Sequence, residues 1–371
     1  MGIIEIIFWV FVVAASLQML IYSIVFGSLA FARKRKAKVA KEPVTVVIAA
    51  RNEEKNLLEN LPLILEQNHP DFEIIVVDDC SSDDTQDVLR AFSMKYDNFK
   101  VTTLKETVNF YGGKKFAITL GIKAAANDLI VFTDADCKPS SKEWLATISN
   151  GFNEGKEIVL GYGGYEKKAG LLNTLIRFDA IYIAIKYLSF AKLGVPYMGV
   201  GRNMAYRKDL FFKNKGFASH HHLKSGDDDL FINETGNSSN TEVVIGILAN
   251  TISKPKESFS DWFHQKRRHM TTGKQYKVAH LFLLATLTGS VVLFHAAFLA
   301  LIIVGFQLQI VLGIYGVRML IQLLIFHQSE KKMGERGIWY CAPVFEILLI
   351  IIYPLITLSN LVIKPGKWRT I

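Results

Sequence analysis

Asp128-Leu-Ile-Val-Phe-Thr-Asp-Ala-Asp-Cys-Lys138 runs an apolar strand, residues 129–132, straight into two carboxylates, Asp134 and Asp136. Side chains alternate between the two sides of a strand, so residues two apart share a face. Both carboxylates can therefore converge on one point just past the strand end. That edge is where an open α/β sheet binds ligands. Two hard oxygen donors there suit Mg²⁺ or Mn²⁺ held together with a substrate diphosphate. The alternative is a polar turn after a buried strand.

Outward from this stretch, strand and helix patterns alternate. Apolar, β-branched runs predict strands at 44–50, 73–78 and 99–104, with 129–133 as the fourth. Helical periodicity marks 56–67, which Pro62 disturbs, and then 85–92, capped by Ser82 or Asp83, 114–126 and 142–152. This order predicts a doubly wound, mostly parallel α/β sheet with helices on both faces. Residues 171–193 read either as an amphipathic helix at a membrane face or as a core helix of the same domain.

The chain has 371 residues, half of them hydrophobic, and a net charge of +9. The apolar excess is concentrated in blocks. Residues 1–32 predict a transmembrane α-helix, and 280–363 a transmembrane region of about three segments, 281–306, 308–327 and 341–363. A basic linker, 33–42, follows the first helix with Arg33, Lys34, Arg35, Lys36, Lys38 and Lys41. The positive-inside rule then puts the N-terminus outside and the polar domain, 43–275, in the cytosol. Much of the positive charge flanks apolar blocks, where it meets anionic headgroups, so no nucleic-acid partner is expected. Three spans near the end would, however, place the basic tail 364–371, with Lys364, Lys367 and Arg369, outside, against the same rule. An interfacial last segment or a re-entrant pair around Pro354 would avoid this. Arg318 and Glu346 are costly in lipid and are expected to face protein or each other. Cys80, Cys137 and Cys341 have no metal or redox spacing and fit a reducing compartment.

Two further strands end in polar clusters, Ala49-Ala50-Arg51-Asn52-Glu53 and Val77-Asp78-Asp79-Cys80-Ser81. Three such ends on consecutive α/β units point to a nucleotide site. A P-loop is missing, and so is Gly-x-Gly-x-x-Gly after the first strand. Together, Val-Val-Ile-Ala-Ala-Arg-Asn-Glu-Glu, Val-Val-Asp-Asp-Cys-Ser-Ser-Asp-Asp-Thr, Gly-Gly-Lys-Lys-Phe-Ala and Thr-Asp-Ala-Asp resemble glycosyltransferase family 2, as a membrane-embedded member with a GT-A (Rossmann-like) fold. The resemblance implies that Ala50, Arg51 and Glu53 border the nucleoside. It gives the base, commonly uracil, to Asp79 with Asp78 beside it, and the diphosphate to Lys114. Asp134 would contact the ribose or metal side, and Asp136 would ligate the metal.

Ser225-Gly-Asp-Asp-Asp-Leu-Phe231 resembles the family's acidic Glu-Asp motif, with glycine in place of glutamate if Leu230 sets the register. Asp227 is then the base, and Asp228 the neighbour that could replace it. Adjacent carboxylates raise one another's pKa, which suits a base working near neutrality. Gly201-Arg202-Asn203-Met204-Ala205 resembles the acceptor-side stretch. His220, His221 and His222 read as a solvated loop. Gln265 and Arg268 match a Gln-x-x-Arg-Trp signature that closes over the diphosphate, with His269 where tryptophan is expected. That exchange argues against tight stacking on a sliding polymer.

These features predict an inverting, metal-dependent transferase that moves a sugar from a UDP-linked donor to a glycolipid or polyprenyl-linked glycan. It would be an integral multi-pass protein, of the plasma or inner membrane in a bacterium. A processive polysaccharide synthase is the alternative within the enzyme class. A non-catalytic membrane scaffold is the alternative outside it, although decay should have erased some carboxylates. A nucleotidyltransferase would need a Gly-rich loop after the first strand, and Arg51-Asn52-Glu53-Glu54 is not one.

Overall fold

The structure, a computed structural model, describes residues 2–33, 42–104, 113–153, 155–223 and 225–362. The basic stretch 34–41 and the tail 364–371 lie outside the described residues. The first element is α1 (Ile3–Ala30), which includes a π-helical turn at Ile21–Phe26. There follow β1 (Val44–Ala50), α2 (Glu54–Leu65), β2 (Phe72–Asp79), α3 (Thr85–Lys95), β3 (Phe99–Leu104), α4 (Lys114–Ala124) and β4 (Leu129–Phe132). Next come β5 (Cys137–Pro139), α5 (Trp144–Ser149), β6 (Ile158–Leu160), β7 (Gly163–Tyr165), α6 (Leu171–Lys192), β8 (Met204–Arg207) and α7 (Lys208–Lys213). The domain ends with α8 (Asp229–Thr235), β9 (Thr241–Val243), β10 (Thr251–Ser253) and α9 (Phe259–His269). Three apolar helices close the chain: α10 (Val278–Val304), α11 (Leu308–Met333) and α12 (Ala342–Val362).

The main sheet has seven strands in the order β3-β2-β1-β4-β8-β6-β9. β3, β2, β1 and β4 are parallel, and β8 is antiparallel to both β4 and β6. A three-stranded sheet, β5-β10-β7, stands beside it. Every residue of β1 is buried. Val44, Val46 and Ile48 pack with Leu57 and Leu61 of α2, while Val47 and Ala49 join Ala117 and Ile122 of α4 on the other face. Coverage of both faces is why this strand reads as a continuous apolar run.

Two helices differ from the sequence expectation. α2 runs through Pro62 rather than being broken by it. The helix expected over 142–152 is confined to Trp144–Ser149. The open question over 171–193 resolves to a core helix. Phe178, Ile181, Tyr182, Ile185 and Leu188 are all buried, and the cluster they join also holds Tyr22 and Phe26 of α1 and Phe326 of α11. One apolar core therefore runs from the sheet through α6 into the helices beyond, and fixes the α/β domain against them.

Among the described residues, α1, α10, α11 and the stretch Trp339–Val362 are long and apolar enough to cross a membrane. Arg318 and Glu346 pair with each other at 2.7 Å, both fully enclosed. Gln18 accepts from Arg318 at 3.0 Å, Gln322 accepts from it at 2.7 Å, and the Tyr22 hydroxyl donates to Glu346 at 2.6 Å.

Candidate active site

The loops after β1 and β2 are laced together. Asn52 and Cys80 both adopt left-handed backbone, with φ of 55° and 56°, a region that asparagine tolerates better than most residues. The Asn52 N–H donates to Ser81 Oγ at 2.9 Å, and the Ser82 N–H returns a bond to Asn52 Oδ1 at 2.8 Å. Asp78 corrects an expectation: it is fully buried, and its carboxylate accepts from the Ser81 N–H at 3.2 Å and from Gln86 Nε2 at 2.9 Å. It braces the turn. Asp79 differs, because its Oδ2 has no hydrogen-bond partner and lies 3.7 Å from the Arg51 guanidinium. Ala50 is buried and offers only backbone. Burial pushes the Glu53 carboxyl up to about 7 against the Asn56 hydrogen bond, with the charges of Asp136 and Asp134 adding.

Lys114, at the start of α4, ties the β4 end to the acidic motif. Its Nζ lies 2.7 Å from Asp134 Oδ1 and 3.3 Å from Asp227 Oδ2. Burial alone would lower the ammonium, but Asp134, Asp227 and Asp228 together raise it well above the ordinary lysine value. Burial likewise works to raise Asp134, and Lys114 overcomes it, holding that carboxyl below its usual range. Asp136 moves the other way, raised by burial and by the charge of Asp134. Ligand atoms of Asp134, Asp136 and Cys137 lie within 4.8 Å of one another. The Cys137 thiol is itself held in contact with Ser253 Oγ at 3.0 Å, and burial pushes it well above its ordinary pKa. A protonated thiol is a poor ligand, which leaves two hard carboxylates as the donor set. That set fits Mg²⁺ or Mn²⁺.

The three consecutive aspartates are not equivalent. Asp228 accepts the Gly201 N–H and the Asp229 N–H, each at 2.8 Å. Asp229 accepts from the Thr272 hydroxyl and, at 2.8 Å, from the Tyr276 phenol. Asp227 Oδ2 has no hydrogen-bond partner and faces only the Lys114 cation. Gly226 explains the missing glutamate: its φ is +101°, and a Cβ there would come within 2.5 Å of Leu230 Cδ1. Left-handed backbone at that point admits glycine with little strain.

Asn203 is a second correction. It was expected on the acceptor side, yet it is fully buried. It accepts from the Trp144 indole at 3.0 Å and donates to the Tyr162 and Ala249 carbonyls at 2.7 and 2.8 Å. An unsatisfied buried polar group costs roughly 1–3 kcal/mol, so Asn203→Ala is expected to destabilise the protein by about 3 kcal/mol or more. A thermal melt in detergent reads this directly, and an unchanged midpoint would exclude the hub role. Its neighbour Arg202 stacks over the Tyr165 ring, 4.4 Å from the centroid. On α9, Gln265 Oε1 is buried without a partner, Arg268 helps to lower Asp134, and His269 is exposed.

Several contributors escaped the sequence reading. Lys115 Nζ donates to the His220 and Leu223 carbonyls at 2.7 and 3.2 Å, clamping the loop before Asp227. The doubled lysine after Gly113 was its only local signal. Thr272 and Tyr276 hold Asp229 from more than forty positions away, with no local signal. His220 is 3% exposed and pairs with Glu234, whereas His221 and His222 are exposed.

Residues 45–213 match the family model for glycosyl transferase family 2. The 4,4'-diaponeurosporenoate glycosyltransferase of Staphylococcus haemolyticus is 33% identical over 120 residues, 32% of this chain and 31% of that protein. The probable glycosyltransferase YdaM of Bacillus subtilis is 27% identical over 252 residues, 63% of this chain and 56% of that protein. The match thus spans only about a third to a half of those relatives. The solved structure of mannosyltransferase PcManGT from Pyrobaculum calidifontis, in complex with GDP-Man and Mn2+, superposes with a TM-score of 0.58 at 16% identity, over 94% of this chain and 99% of that one. At that identity the likeness is one of fold.

Proposed function

We propose, on the match of residues 45–213 to the glycosyl transferase family 2 model and the fold shared with a solved mannosyltransferase, that the chain transfers a sugar from a nucleotide-diphosphate donor, UDP-linked, to a lipid-linked acceptor with inversion at the anomeric carbon. The observation that carries this reading is Lys114, which draws the β4-end carboxylate and the Asp227 carboxylate to one cation. Donor and acceptor chemistry are then one side chain apart.

In this reading Arg51 and Asp79 border the nucleoside, and Lys114 and Arg268 offset charge on the departing diphosphate. A divalent ion on Asp134 and Asp136 would supply further neutralisation of that leaving group. Asp227 accepts the proton of the attacking hydroxyl on the opposite face of the sugar. The continuous core from sheet to apolar helices supports a membrane-borne acceptor, since it joins the site's domain to helices long and apolar enough to cross a bilayer.

Membranes containing the full chain should be incubated with a panel of labelled sugar nucleotides, and lipid and polymer products separated. The expected result is one preferred donor and a lipid-extractable product, with transfer lost in excess EDTA and restored by Mn²⁺ or Mg²⁺. Transfer unaffected by EDTA would remove the metal from the scheme. Label found only in polymer would favour the synthase reading.

A further inference from the structure

We propose that α12 does not cross the bilayer: it lies along the leaflet on the α/β-domain side, with one apolar stripe set into that leaflet. The middle and far end of the helix, and the turn that leads into it, are tied to elements of the same folded domain, while Glu346 near its start pairs with Arg318 of α11. The turn leading into it is held by Asn250, whose Nδ2 donates to the Met333 carbonyl at 2.6 Å, and by Arg177 of α6, which pairs with Glu335 at 2.5 Å. Midway, the Tyr353 hydroxyl donates to Asp179 of α6. At the far end, Arg267 Nε of α9 donates to Asn360 Oδ1 at 3.0 Å, and Asn360 Nδ2 donates back to the Arg267 carbonyl at 3.0 Å.

α9 belongs to the domain side. Lys266 pairs with Asp179, and Thr272 just beyond α9 donates to Asp229 in the acidic motif. Its sequence, Phe-Ser-Asp-Trp-Phe-His-Gln-Lys-Arg-Arg-His, is too highly charged to lie within lipid. A crossing helix must part its ends: 21 residues at 1.5 Å each reach about 30 Å, the thickness of the hydrocarbon. One end of α12 would then be a full bilayer away from the domain, and the contacts at Met333 and Asn360 exclude that.

The partner of the outward face is lipid. Val344, Ile347, Ile351, Leu355, Leu358 and Val362 are exposed and recur at three- and four-residue intervals, one face of a helix. Phe345, Leu349, Ile352 and Ile356, on the opposite face, are buried in the core shared with α6 and α11. The stripe carries no charge. Three crossings, by α1, α10 and α11, also remove a conflict in the sequence. The chain leaves α12 on the domain side, where the positive-inside rule favours Lys364, Lys367 and Arg369.

Gln307→Cys, in the turn between α10 and α11, and Val362→Cys test the arrangement in the full chain. Cells are treated with a membrane-impermeant maleimide before and after permeabilisation, and each site is read by peptide mass mapping. The expected result is opposite faces, with one site labelled in intact cells and the other only after permeabilisation. Labelling of both from the same face overturns the proposal. Nitroxides at Val344→Cys, Ile351→Cys and Leu358→Cys give an independent reading in vesicles. All three are expected within about 5–10 Å of the headgroup boundary. An Ile351 label near the bilayer centre, about 15 Å deep, would mean that α12 crosses.

Discussion

Asp227→Asn is expected to lower kcat by about 10²–10⁴-fold while leaving donor affinity and the folded state nearly unchanged. Asp228 and Asp229 are each held by two hydrogen bonds from the surrounding chain, whereas Asp227 keeps one oxygen opposite Lys114 alone. The exchange for asparagine keeps the shape and removes the proton acceptor together with one of the charges facing Lys114. Asp228→Asn is expected to cost less and to alter the pH response instead. Burial, and then the flanking Asp227 and Asp229, push the Asp228 carboxyl up to about 7. Its native pKa thus lies above the unfolded one, so the native state holds a proton that the unfolded chain gives up. The stability this supplies is complete below the ordinary aspartate range and is lost as pH rises through about 7. The loss should be absent in Asp228→Asn. Single-turnover rates and melting temperatures of the three proteins across this window decide the matter. Wild-type turnover in Asp227→Asn would sink the assignment, and a larger loss in Asp228→Asn would move the base one residue along.

Glu346→Ala is expected to cost about 3–5 kcal/mol of stability, the largest effect of any substitution remote from the site. It would leave Arg318 enclosed among α1, α10 and α11 with no counter-charge, where Gln18 and Gln322 supply only neutral acceptors. Pairing a charge in a low-dielectric interior offsets its desolvation, and deleting one partner exposes the whole cost of the other. The double substitution Arg318→Met with Glu346→Leu should recover most of the loss, since neither charge then remains. Melting midpoints of the singles and the double in one detergent measure the coupling. Equal and additive losses would mean that the two side chains do not act as a pair.

Much of the domain was legible because its signals are local. Strand residues 44–50 lie between two helical layers and are apolar at every position but Thr45, so the run itself announces burial on both faces. The carboxylates at 134 and 136 lie two and four positions beyond such a run, 129–132. The strands at 158–160, 204–207 and 241–243 were not anticipated. They are three or four residues long, too short for a period to register, and they exist because β4 offers an edge for β8 to pair with. Asp78 and Asp79 show the same limit at a single peptide bond. Adjacent residues leave a strand in opposite directions, and which of the two meets Gln86 depends on where α3 packs.

The sequence by itself determined the order of the first four strands and the helices between them, the apolar blocks, the strand-end carboxylates and the need for Arg318 and Glu346 to find protein. These follow from period, charge and propensity within a window of a few residues. Tertiary structure alone decided which carboxylates keep an uncommitted oxygen, that Asn203 faces inward, and that Asn360 of α12 meets Arg267 of α9. Each of those rests on a hydrogen bond between distant positions, such as Asn360 with Arg267 or Arg318 with Gln18. A buried polar atom takes whatever partner the packing brings within reach, and no local pattern encodes which partner that will be.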